Sequence, residues 1–225
     1  MDRVAKNIID SYSQGPDAIY ADWKEREALP PYEAVDIWRD VSRLFFRDKN
    51  ADLIFLSPTS NLPTHEVAIF KDEVQSRKGS TIFLVGDLAN LNPKDELAQV
   101  ANLQDDKQKF IYFKWDARNL PVKKGTVDSI WDRRGWIWHS ANLEDNREKA
   151  TLDSLINYRK MLKKGGIIIL DADYGMKSGQ RGHSTDSVVR TRIREDFFEK
   201  PEIKKMFDSY YIGEDQKRVL VLIKK

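Results

Sequence analysis

The chain has 225 residues, enough for one α/β domain with a full core. Its 38 Lys and Arg against 36 Asp and Glu leave a formal charge of +2, too small an excess for a sequence-independent grip on duplex nucleic acid. Cys is absent and the three His (His65, His139, His183) are widely spaced, which excludes disulfides, cysteine nucleophiles and HExxH chemistry and leaves no metal site expected.

Apolar residues make up 40% of the chain and come in short blocks. None approaches the roughly 18 consecutive residues of a membrane helix, and the opening MDRVAKNIID lacks the apolar stretch of a signal peptide. The expectation is a cytoplasmic protein with no membrane partner. In chain order, residues 4–12 and 32–47 read as helices around the punctuated segment QGPDAIYADWKEREALPP. Strands follow at 52–56 (DLIFL), 81–85 (TIFLV), 109–113 (KFIYF), 127–131 (VDSIW) and 166–170 (GIIIL). Several are apolar almost throughout, as strands covered on both faces must be. Helices are expected at 65–77, 94–102 and 147–162. The last has Ala150, Leu152, Leu155, Ile156, Tyr158 and Leu162 on one face, with Gly165 and Gly166 as its stop. A helix at 194–208 and strands at 209–212 and 218–223, joined by GEDQ, complete the chain. Such a hairpin cannot make parallel crossovers, so at least one of its strands runs antiparallel. The division predicted is a helical cap over residues 1–48 and an α/β domain over 49–225.

Two segments carry a resemblance. Residues 113–131, FKWDARNLPVKKGTVDSIW, place the acidic Asp116, the small Ala117, Leu120-Pro121 and then Val127-Asp128 around the end of one strand and the start of the next. Residues 161–170, MLKKGGIIIL, join a helix end to a strand through a Gly-Gly turn. With five α/β repeats, a further helix and a final hairpin, residues 49–225 resemble the class I S-adenosylmethionine-dependent methyltransferases. The fold this implies is α/β: a Rossmann-like, seven-stranded, mostly parallel sheet with a C-terminal antiparallel hairpin strand. The cofactor implied is S-adenosylmethionine, with Asp116 accepting from the adenine amine and the backbone N–H of Ala117 donating to the ring. The plain alternative for Asp116 is a capping residue before a turn proline.

Residues 81–93, TIFLVGDLANLNP, fit two registers. As a first strand they make Gly86 the remnant of a glycine-rich loop, but then residues 87–109 must hold a helix, a strand and another helix. That is too short for crossovers of a dozen or more residues. As a second strand they make Asp87, followed by Leu88, the acidic residue that holds the ribose hydroxyls, and all five strands space normally. The loop after the first strand is then SPTSNLPTHE, which has no glycine where the resemblance expects Gly-x-Gly. Ser57 is its first polar contact for the cofactor. The missing glycines also sustain a second reading, a non-catalytic member of the fold acting as a binding or interaction module.

Residues 127–141, VDSIWDRRGWIWHSA, begin like the fourth-strand segment of thiopurine-methyltransferase-like enzymes. Trp131, Asp132 and Arg133 match, and Arg134 precedes Gly135; the Asn-Pro-Pro-Tyr string of base- and glutamine-methylating enzymes is absent. The resemblance implies a small-molecule acceptor, with Asp132 also near the cofactor. Trp136 and Trp138 either stack on a planar acceptor or pack a helix on the sheet. The acceptor set is completed by Trp23 from the cap and Arg181 from the segment 173–194, whose basic excess suits an anionic acceptor or a solvated loop. Methyl transfer from a sulfonium needs alignment more than acid–base help. Where the acceptor must lose a proton, the candidate bases are His139, Asp132 and Tyr174.

Overall fold

A computed structural model describes residues 31–60, 63–87, 93–132, 136–137, 146–171, 195–213 and 219–225. The elements, in chain order, are α1 (Pro31–Phe45), β1 (Leu53–Ser57), α2 (Thr64–Ser76), β2 (Thr81–Asp87), α3 (Lys94–Ala101), β3 (Gln108–Lys114), β4 (Val127–Asp132), α4 (Arg147–Met161), β5 (Leu162–Asp171), α5 (Glu195–Phe198), α6 (Pro201–Met206), β6 (Phe207–Ile212) and β7 (Val219–Lys224). All seven strands form one sheet in the order β3-β2-β1-β4-β5-β7-β6. β7 pairs antiparallel with both β5 and β6, and every other pairing is parallel. Among the described residues, no helix is long and apolar enough to cross a membrane.

The apolar strands are sandwiched, as their sequence requires. On one face Leu53, Phe55, Phe83, Phe110, Trp131, Ile167 and Ile169 pack under α1, α2 and α3. The rings are layered: Phe55 stacks on Phe83 at 4.1 Å, and Trp38 of α1 meets Phe55 edge-on at 5.2 Å. Trp38 is therefore a core residue. On the other face Leu56, Ile130, Ile168, Leu170, Leu220 and Leu222 pack under Leu155 and Tyr158 of α4 and Phe198 and Ile203 of the short helices. No helix lies between β3 and β4; Trp115, Ala117, Leu120 and Val122 of that connection cover the sheet instead.

Three expectations are corrected by local chemistry. The helix over 194–208 is split into α5 and α6, because Pro201 has no N–H to donate and can only begin a helix. β6 then starts at Phe207, inside the expected helix. The Gly165-Gly166 pair does not stop α4, which ends at Met161 with Leu162 already extended. Gly165 instead takes φ +73° in β5, where the register with β4 shifts.

Candidate functional site

β1 lies between β2 and β4, so the chain turns to opposite sides of the sheet after β1 and after β3. A parallel sheet opens a crevice at such a reversal, beyond the carboxyl ends of its strands. Four segments reach that edge: the loop after β1, the end of β2, the segment 115–118 after β3, and the end of β4.

The loop after β1 has no glycine and is held from several sides. The Ser57 hydroxyl donates to Glu66 Oε1 at 2.7 Å, and the Ser60 hydroxyl donates to Oε2 at 3.0 Å. Glu66 stands in the first turn of α2 and is buried with both serines. The Ser60 N–H donates to the Gly86 carbonyl at 2.9 Å, and the Trp115 indole N–H donates to the Pro58 carbonyl at 2.8 Å. The Tyr112 hydroxyl reaches the Ser60 carbonyl at 3.4 Å. Between two of these anchors, Thr59 Oγ1 is buried with no hydrogen-bond partner among the described residues.

Gly86 sits on β2, paired with Phe113 of β3. This places residues 81–87 as the second strand, the register favoured by chain length. Gly86 is glycine for a packing reason. A Cβ there would lie 2.4 Å from the Phe113 carbonyl oxygen and 2.6 Å from the Trp115 ring. The indole thus crosses β2 where side-chain volume is missing and reaches the β1 loop beyond it.

Asp87 ends β2 and is buried beside that loop, its carbonyl accepting from the Trp115 N–H at 3.0 Å. Asp116 is half-buried and paired with Arg118, whose guanidinium nitrogens lie at 2.9 Å from Oδ1 and at 2.5 Å from Oδ2. The Arg118 backbone N–H donates to Oδ1 as well, at 2.9 Å. The same guanidinium lies 6.0 Å from the centroid of Trp136, which is buried in the core cluster with Ala117 and Trp115. Asp132, at the end of β4, is buried and accepts the Ile137 N–H at 3.1 Å.

The structure therefore brings Ser57, Asp87, Asp116, Ala117, Asp132 and Trp136 to the carboxyl edge or just behind it. Trp23, Leu88, Trp138, His139, Tyr174 and Arg181 lie outside the described residues. Glu66 is the residue that sequence reading missed. Its signal is spacing: Glu66 and Glu73 are seven residues apart on the buried stripe of α2 that also carries Val67, Ile69 and Phe70. Among the described residues, no group of three or more His, Cys, Asp or Glu could hold a metal ion.

No protein-family model matches the chain, and no curated protein matches it. Solved structures do. A Listeria monocytogenes protein named as an S-adenosylmethionine-dependent methyltransferase superposes with a TM-score of 0.51 at 9% identity, over 84% of this chain and 98% of that one. Geranyl diphosphate methyltransferase in complex with geranyl diphosphate and sinefungin gives 0.51 at 9% identity, over 82% of this chain and 77% of that one. Monomeric WbdD gives 0.58 at 10% identity, over 90% of this chain and 43% of that one, so this chain spans less than half of its length. At such identities the likeness is one of architecture, and it agrees with the strand order, the lone antiparallel β7 and the edge described above. The chain has the class I S-adenosylmethionine-dependent methyltransferase fold.

Proposed function

We propose that this protein transfers a methyl group from S-adenosylmethionine to a small-molecule acceptor. The observation that carries the reading is Asp87: an acidic side chain, buried, at the carboxyl end of the strand next to β1, beside the loop where the fold opens its crevice. A carboxylate at the carboxyl end of a strand faces the crevice where doubly wound sheets bind ligands, a place suited to a ligand's hydroxyls.

The residues present fit this cofactor. Asp87 suits the ribose hydroxyls, and Asp116 with the Ala117 N–H suits the adenine edge. Thr59 Oγ1 is a buried hydroxyl that a ligand's polar end can satisfy. Asp87 and Asp132 put two buried acidic side chains at one edge, which favours a ligand carrying positive charge. When bound, the cofactor supplies an electrophilic methyl group on a sulfonium. What the chain contributes is alignment and exclusion of water: Trp115 and Trp136 close the underside of the edge, and Asp132 holds the Ile137 N–H. The small-molecule acceptor rests on the Trp131-Asp132-Arg133 string, with Trp23, Trp136, Trp138 and Arg181 as its contacts. His139, Asp132 and Tyr174 are the candidates for taking an acceptor proton.

Calorimetric titration with S-adenosylhomocysteine tests the reading. Saturable binding that weakens at least about tenfold in Asp87→Ala, a loss of about 1.4 kcal/mol, supports it. Absence of binding at millimolar ligand overturns it.

A further inference from the structure

We infer that Glu66 is a positioning residue for the cofactor, a carboxylate clamp that shapes the loop after β1 in place of glycines. The inference rests on the cofactor reading above. A glycine-rich turn brings backbone close to a ligand because it has no Cβ to intervene. A loop made of Ser57, Pro58, Thr59 and Ser60 has a Cβ at every position, so its path must be imposed from outside.

The imposition is visible in the hydrogen bonds. Ser57 and Ser60 each give their hydroxyl to a different oxygen of one carboxylate, at 2.7 and 3.0 Å. This fixes two side chains of the loop toward the start of α2 and sets the separation of their Cα atoms. Two further anchors come from outside the loop: Pro58 is held by the Trp115 indole, just past β3, and the Ser60 backbone by Gly86 of β2. Inside the bracket lies Thr59, whose buried Oγ1 has no partner among the described residues. The loop is thus held at both ends and from below, and this is the work that glycines would otherwise do.

A competing role for Glu66 is a favourable charge in the first turn of α2. The two roles respond differently to substitution. Gln keeps two hydrogen-bonding atoms in the same places, because a serine hydroxyl can accept as readily as it donates. It removes only the charge. Ala removes both.

The experiment measures S-adenosylhomocysteine affinity by calorimetry and the position of the loop by the Trp115 indole N–H resonance, assigned through Trp115→Phe. The clamp predicts that Glu66→Ala shifts that resonance and weakens binding at least about tenfold. It predicts that Glu66→Gln leaves the resonance in place and affinity within about threefold, well under 1.4 kcal/mol. If Glu66→Ala does not fold, the double variant Ser57→Ala/Ser60→Ala removes the donors instead and carries the same expectations. Wild-type affinity in Glu66→Ala overturns the inference, and so does equal damage from Gln and Ala. Should the wild type bind no S-adenosylhomocysteine, the proposed function fails, and with it the cofactor half of the inference. The resonance then still judges the clamp, which an unmoved Trp115 signal in Glu66→Ala refutes.

Discussion

Helix α2 carries two buried glutamates, and their surroundings differ in kind. Glu66, at the end facing the carboxyl edge, accepts from two neutral hydroxyls of one loop. Glu73, two turns later, accepts from the Trp38 indole at 2.8 Å, the Ser42 hydroxyl at 3.0 Å, the Lys49 ammonium at 2.9 Å and Arg77 Nε at 2.9 Å. Arg77 in turn donates to the carbonyls of Asp48 and Ala51, just before β1. Glu73 ties α1, α2 and the entrance of the central strand together with charge, whereas Glu66 arranges a few residues at that strand's exit. The same residue type on the same stripe is thus structural at one end of the helix and, in our reading, functional at the other.

The contrast breaks most easily at Glu73. Glu73→Ala leaves the buried Arg77 and the half-buried Lys49 without their carboxylate, and removing one partner of a buried ion pair costs about 3–5 kcal/mol. Urea unfolding should show that loss, while the folded fraction still binds S-adenosylhomocysteine as the wild type does. A loss below about 1 kcal/mol would mean that the hub is no stronger than an exposed pair.

Gly86→Ala comes next. The added methyl meets the Phe113 carbonyl and Trp115, an overpacking worth about 1–3 kcal/mol. Because Trp115 also holds Pro58, this variant should reduce cofactor affinity together with stability, so it reads the coupling between core and loop. Unchanged affinity at reduced stability would uncouple them.

Acid sharpens the comparison further. Burial pushes the Glu73 carboxyl up, but the Lys49 hydrogen bond, the Arg77 and Lys49 charges and the Trp38 indole outweigh it and hold the group below its ordinary value. A carboxyl depressed in the folded state binds its proton more readily when unfolded. Its stabilisation is present above the ordinary carboxylate range and is lost as pH falls through the lower, folded value. Glu73→Gln should therefore flatten the acid limb of a stability-against-pH curve. An acid limb that the substitution leaves unchanged would place the pH dependence elsewhere.

The smallest effect belongs to the same helix pair at its surface. Arg39 of α1 meets Asp72 of α2 at 2.6 Å with half of its side chain exposed. Arg39→Ala should cost under about 1 kcal/mol and respond to salt, one residue away from the hub that costs several times more.

These elements were not equally legible in the sequence. The strands were, because a strand covered on both faces is an apolar run and little else; DLIFL, TIFLV and GIIIL all lie in or against the core. The place of residues 81–87 followed from chain length, and with it the place of Asp87. The split at Pro201 was legible in principle, since the residue bars a continuous helix, but the periodicity of 194–208 masked it. Trp115 over Gly86 was not legible, because a glycine made necessary by a side chain 29 residues on looks like any other glycine in a strand. Nor was the Ser57–Ser60–Glu66 clamp. Its three residues are ordinary in a polar loop, and only the return of α2 onto the exit of β1 turns them into one hydrogen-bonded unit.

The central claim is that a glycine-free loop, clamped by Glu66, still forms a cofactor site. Calorimetric titration of the wild type and Glu66→Ala with S-adenosylhomocysteine tests it most directly. The account predicts saturable wild-type binding and a loss of at least about tenfold in the variant. Absent wild-type binding, or equal affinity in the two proteins, would contradict it.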